Sequence, residues 1–308
     1  MKIINNFKDY LLNRSNRYRY HKSEHTKLEQ EVDALNKKIK NLTYPYPPGH
    51  FHSPINDLNF LKDREDLIWK PEFTEGIEKN EKEQLNLLKS FSKYYPEIPF
   101  KSKKQPELRY YLENNYFARG DGIILYSMMR TLKPKRIVEV GSGFSSALMM
   151  DVNDLFFGGK LKLTFIEPNP ERLYGLMSEK DRLDHQVIPK IVQDVDLEIF
   201  EKLEPDDILF IDSSHVVKTG NDVQHIFFKI LPKLKSGVYI HFHDIFYPFE
   251  YPKHWILDNR WNWNENYFLK AFLMYNSQFK IVLLNKFICH EENLKGIAPT
   301  SSAWLKKI

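Results

Sequence analysis

With 308 residues, 42% of them hydrophobic and 14% aromatic, the chain can bury one full-sized core plus an appendage, since single domains commonly run to roughly 100–200 residues. Its one cysteine, Cys289, excludes an internal disulfide framework and a cysteine-based zinc site, and points to a reducing, cytoplasmic compartment. A formal net charge of +4 argues against a nucleic-acid-binding protein, and no apolar stretch approaches the ~18 residues that span a bilayer.

The charge is uneven. Residues 1–42 hold ten Lys/Arg against five Asp/Glu, as in "NRSNRYRYHK", which reads as a solvated polar helix. Within it Leu28, Val32, Leu35, Ile39 and Leu42 step by four, three, four and three, the apolar spacing of a coiled coil. About two heptads leave two alternatives open: a helix packed on its own domain, or a homo-oligomer contact through residues 28–42. The prolines of "TYPYPPGHFHSP" (43–54) stop any helix, because each fixes φ and removes a backbone donor. This divides the chain into a basic helical extension (1–44), a linker and cap segment (45–105) and a main domain (106–308).

In the main domain a helix is expected from near Asp121 to just before Pro134. Short apolar runs follow at 136–140, 162–167, 190–194, 207–212, 237–244 and 279–285, separated by helical patterns such as 221–234 and 265–276. Continuous Val/Ile/Leu/Phe strands alternating with helices predict an α/β fold, a doubly wound, mostly parallel sheet covered on both faces. Ligands of such sheets bind outside the carboxyl ends of the strands. Glu139, Glu167, Asp194, Asp212 and Asp244 all fall at that edge.

"EVGSG" turns out of the first strand into a helix, placing Gly141 and Gly143 where a Cβ would obstruct a ligand lying on the backbone. Glu167 ends the next strand, where an acid can accept hydrogen bonds from ribose hydroxyls. Together "VEVGSGFSS" and "FIEPNP" resemble the first two motifs of class I S-adenosylmethionine (SAM)-dependent methyltransferases. The resemblance implies a seven-stranded Rossmann-like sheet with an antiparallel last strand. It also implies SAM held by Glu139, Gly141, Gly143 and Glu167, with Ser145 in place of the family's third glycine and Asp194 near the adenine.

Residues 106–290 more narrowly resemble a bacterial branch of O-methyltransferases found among sugar and natural-product pathways. Catechol and macrolide-sugar O-methyltransferases place a metal-binding Asp and a catalytic base at D-x-x-K or D-x-x-H. The resemblance therefore implies Asp212 as a ligand of a divalent cation, Mg or Mn, and His215 as general base. His243-Asp244 stands where that family presents two oxygen ligands. Asp244 matches directly, while His243 either binds a metal that favours nitrogen or is no ligand at all. His241 shares a strand face with His243 and reads as a hydrogen-bonded core histidine.

The aromatic-rich stretch 246–268, with Tyr251 in it, suits the apolar face of a sugar ring or an aromatic acceptor. With His50 from the proline-rich segment it is expected to contact the acceptor. The expected activity is metal-assisted, SAM-dependent methylation of a hydroxyl on a small-molecule or glycan substrate. A metal-independent transferase using His215 as base, or a non-catalytic SAM-binding subunit, are the alternatives.

Overall fold

A computed structural model describes residues 2–43, 46–70, 75–285 and 300–308, and Cys289 lies outside them. Two compact units make up the chain, Met1–Glu65 and Asp66–Ile308. In the first, one helix covers Lys2–Thr43, its 42 residues extending about 63 Å at the α-helical rise. Leu28, Val32, Leu35 and Ile39 are each more than half exposed, so these four residues of the heptad stripe face solvent. The proline-rich segment that follows makes a tight turn, closed by Gly49 N–H donating to the Ile55 carbonyl and His50 N–H to the Pro47 carbonyl.

The second unit is built on a seven-stranded sheet: β1 (Arg136–Val140), β2 (Lys162–Ile166), β3 (Gln186–Ile188), β4 (Ile208–Ile211), β5 (Tyr239–His243), β6 (Phe279–Leu284) and β7 (Ser302–Lys307). The spatial order is β3-β2-β1-β4-β5-β7-β6. The first five strands are parallel neighbours, and β7 runs antiparallel between β5 and β6. Every residue of β4, and all but the first of β1 and β5, is buried, which requires cover on both faces. The doubly wound fold expected from the apolar runs is therefore present. Strand order reverses between β1 and β4, and a crevice opens there at the carboxyl edge.

Three local expectations change. The helix expected from Asp121 starts at Arg119, which puts Asp121 in its first turn, where it accepts a hydrogen bond from the Thr300 hydroxyl. The third strand is Gln186–Ile188 rather than 190–194. Pro189 ends it, and Val192–Asp194 is a single 3₁₀ turn. β7 was not among the apolar runs read from the sequence, because "SAWLKK" alternates into two lysines.

A buried ion cluster fastens the segment before the helix to the rest of the unit. Arg109, 18% exposed, meets Asp151 at 2.7 Å, Asp181 at 2.5 Å and Asp154 at 2.9 Å. The backbone N–H groups of Arg109 and Tyr110 also donate to Asp151, at 2.9 and 2.8 Å. Asp151 belongs to the helix Phe144–Phe156 that leaves the glycine bend, so this cluster sets where residues 115–117 stand beside that bend. Arg109→Ala is expected to lower unfolding stability by about 3–5 kcal/mol in denaturant titrations, because the Asp151 carboxylate would stay buried without its partner.

Candidate active site

β1 ends at Val140, and the chain turns at Gly141 with φ +82°. A Cβ here would stand 1.7 Å from the Asp212 carbonyl oxygen, so only glycine lets the β1 loop pass the end of β4. Asp212 N–H closes the crossing by donating to the Val140 carbonyl at 2.9 Å. Beyond the bend, Ser142 N–H donates to Glu167 at 3.1 Å, and Asn169 N–H donates to the other Glu167 oxygen at 2.8 Å. Glu167 lines both cavities at this edge, and a carboxylate oxygen with one accepted bond can accept another.

Glu139 takes a different place from the one the resemblance implies. It is fully buried, outside the cavity lining, and its two oxygens accept hydrogen bonds from the Ser145 and Ser146 hydroxyls. Burial pushes its carboxyl up to about 8, against the pull of the two serines. Glu139 therefore braces the glycine bend from behind. Asp194 is exposed and lines neither cavity at this edge, because the 3₁₀ turn rotates it outward and presents Val192 and Gln193 instead.

Two adjoining cavities open along the carboxyl edge, of ≈ 720 and ≈ 370 Å³, sharing Gly141, Glu167, Asp212, Ser213 and Ser214. The smaller lies over β2 and the 3₁₀ turn. The larger takes in Gly143, Ser145, His215, His243 and Asp244. The D-x-x-H turn that carries Asp212 and His215 is clipped in place by Asp222, which accepts from Ser214 N–H at 2.8 Å and from its hydroxyl at 2.6 Å.

His215 has φ +59° and Asp244 φ +52°, both in the left-handed region that non-glycine residues enter at a cost. The His215 imidazole is 5% exposed. Its Nδ1 lies 2.9 Å from Glu265 Oε2, and its Nε2 lies 3.5 Å from Asp212 Oδ1 and 3.9 Å from Asp244 Oδ2. Trp263 packs on the ring with centroids 4.4 Å apart. Burial disfavours the imidazolium, but hydrogen bonds and charge from Asp212 and Glu265 outweigh it and hold the His215 pKa well above the ordinary value. Asp212, despite the opposing effect of burial, is drawn down to about 2 by His243 and His215.

His243 Nε2 is 3.8 Å from Asp244 Oδ1, which also accepts from the Ser301 hydroxyl at 3.0 Å. The three residues expected to hold a cation do not form a cage. His215 Nε2 stands between the two carboxylates, and among the described residues no three His, Cys, Asp or Glu side chains converge as metal ligands. The donor set as placed does not fit a divalent ion.

His241 is buried as expected, stacked 3.9 Å from Phe210, but neither ring nitrogen has a hydrogen-bond partner among the described residues. Burial pushes its pKa well down, keeping it neutral.

Tyr251 is also displaced from its expected role. It is 1% exposed, its hydroxyl accepts from Asn266 N–H at 3.1 Å, and it lies behind the wall made by Trp255, Trp261 and Trp263. Of the aromatic stretch 246–268, those tryptophans reach the cavity, with Trp261 and Trp263 stacked at 4.6 Å, and Tyr116, Phe117 and Phe144 line it from other elements. His50 belongs to the first unit, where its ring stacks on Tyr46 and its Nδ1 accepts from His52 N–H. Glu265 and the three tryptophans are site residues that sequence reasoning missed or did not single out.

Residues 138–245 match a family model described as a methyltransferase domain. An uncharacterized protein of Archaeoglobus fulgidus is 37% identical over an alignment of 169 residues, with 52% of this chain and 74% of that one covered. Among solved structures, an SAH-bound methyltransferase of Podospora anserina is 16% identical, with a TM-score of 0.42, covering 84% of this chain and 99% of its own. An O-methyltransferase of Bacillus cereus in complex with SAH is 14% identical, with a TM-score of 0.39, covering 81% and 96%.

Gly141→Ala is expected to destabilise the second unit by about 1–3 kcal/mol or more, through the clash with the Asp212 carbonyl and the positive φ. Thermal unfolding compared with Ser142→Ala, which keeps the bend, checks it.

Proposed function

Because the chain belongs to the family of the Archaeoglobus fulgidus protein, and its residues 138–245 match the model of a methyltransferase domain, we propose that it moves the methyl group of SAM onto a hydroxyl oxygen of a sugar-bearing acceptor. The observation that carries this reading is the His215 imidazole, aimed by its Nε2 into the cavity that the glycine bend also lines. The smaller cavity, between Glu167 and Gln193, suits the adenosine of the donor, with ribose hydroxyls donating to Glu167. The sulfonium then lies near Gly141 and Asp212. The tryptophan wall offers flat apolar surface to a sugar ring, with polar groups of the cavity at its edge.

In the reaction the acceptor oxygen attacks the methyl carbon, the carbon–sulfur bond breaks with its electron pair going to sulfur, and the hydroxyl proton passes to His215 Nε2. The products are the methyl ether, the thioether S-adenosylhomocysteine and a protonated imidazole. Asp212 and Asp244 stabilise that imidazolium, and both stay beside Nε2 throughout. A resting imidazolium cannot accept a proton. The positive sulfonium of the arriving donor opposes that charge and favours the neutral ring. Alignment of the reacting atoms in a closed site contributes further, an effect worth up to ~7–11 kcal/mol in well-oriented systems.

His215→Ala is expected to leave calorimetric SAM binding within about threefold and to lower turnover by ~10²–10⁴, the usual weight of a general base. Tritium transfer from labelled SAM to a panel of free and nucleotide-activated sugars reads this. Equal loss of binding and turnover would make the histidine structural. In the wild type, kcat/KM is expected to rise with pH along a limb centred above 6.5, because the neutral imidazole is the active form and its pKa is raised. A limb centred below 6.5 would contradict the assignment.

The geometry favours the metal-free form of this chemistry, and no step here runs through a cation. Enzyme treated with EDTA and desalted is expected to keep its rate within about twofold. A tenfold or larger loss restored by Mg or Mn would favour the metal-assisted alternative.

A further inference from the structure

We infer that Glu265 is the positioning residue of the proposed base: its buried carboxylate holds His215 Nδ1 and so turns Nε2 toward the cavity. This rests on the reading that His215 accepts the acceptor's proton. Three observations support it. Glu265 is 1% exposed and lies outside both cavity linings at this edge, so it acts through His215 and not on a ligand. Its Oε2 pairs with His215 Nδ1 at 2.9 Å, and its Oε1 has no hydrogen-bond partner among the described residues. A carboxylate whose one hydrogen bond is to an imidazole is costly to bury, and glutamine or leucine would pack there more cheaply.

The third observation is backbone geometry. The N–H groups of Asn264 and Glu265, at the start of the helix Glu265–Leu273, both donate to the His215 carbonyl at 3.1 Å. Asn264 also accepts from Val217 N–H at 2.5 Å and donates to the Val217 carbonyl at 3.3 Å. One helix end therefore fixes the backbone of His215 at φ +59° and, one residue on, fixes its ring. With Nδ1 as donor to Glu265, the neutral ring carries its lone pair on Nε2, the atom that faces Asp212 and Asp244. The arrangement follows the acid–histidine logic of hydrolase triads, in which the acid sets tautomer and orientation without taking the proton.

The test uses the full chain labelled with ¹⁵N-histidine, with the His215 signals assigned by their loss in His215→Ala. The charged and titratable groups facing the ring are Asp212, Asp244, His243 and Glu265, and only the last is varied. In the wild type above its pKa, His215 is expected in the Nδ1–H tautomer. Glu265→Ala is expected to convert most of it to Nε2–H. Glu265→Gln, which keeps a hydrogen-bond acceptor and loses the charge, is expected to retain the tautomer while the His215 pKa falls by about 1–2 units, the weight of a charge-assisted hydrogen bond. Should Glu265→Ala not fold, the near-isosteric glutamine variant decides alone. An unchanged tautomer in Glu265→Ala, or a pKa change under about 0.3 unit in Glu265→Gln, overturns the inference. A fully active His215→Ala in the tritium assay would instead sink the base assignment and leave the tautomer result standing.

Discussion

The structure turns on one close approach between main chains. At Gly141 the loop leaving β1 passes the Asp212 carbonyl with no room for a β-carbon. Every functional element described above lies on one side or other of that crossing. On one side the bend runs into the helix Phe144–Phe156 and donates the Ser142 N–H to Glu167. On the other, the chain continues from Asp212 into the turn that carries His215. The lining of the two adjoining cavities is thereby held together by a contact between main chains.

Around this crossing the charges are arranged in opposition. Asp212, Asp244 and Glu265 surround His215, and Asp212, Asp244 and Asp121 act on His243. Burial alone would neutralise each of these groups. For Asp212 the neighbouring His243 and His215 outweigh burial, and it stays ionised. On Glu139 two hydroxyls work against burial and against the charges of Asp212 and Glu167, so its carboxyl is pushed the other way. Two acids at the same sheet edge thus serve as a charge and as a brace, and their sequence positions do not tell them apart.

Much of the sheet was legible because its strands are uninterrupted apolar runs. Val138, Leu209 and Ile240 are buried in the register that such runs predict. The glycine bend, Glu167, Asp212, His215 and Asp244 were legible too, since strand ends and turns bring them to one edge whatever the loops do. What was not legible depends on long-range packing. Glu265 follows His215 by fifty positions and looks in sequence like an ordinary acid in a helix's first turn. Arg109 reads as a surface cation until Asp151, Asp154 and Asp181 close around it. Tyr251 and the tryptophans share one aromatic stretch, and only the folded path decides which of them face the cavity. Asp194 was misplaced for a local reason: Pro189 ends the strand early and the following turn rotates the side chain outward.

The place of β7 affects how the molecule is made. The last strand in sequence is an interior one, inserted between β5 and β6 with hydrogen bonds on both sides. During synthesis from the amino end, β5 and β6 emerge with facing edges unpaired, and they stay so until residues 302–307 leave the ribosome. Between the emergence of β5 and that of β7 the nascent chain therefore carries unpaired hydrogen-bonding edges, the kind of surface that invites chaperone capture or pairing with another chain. Closure of the sheet waits on the strand made after both of its neighbours.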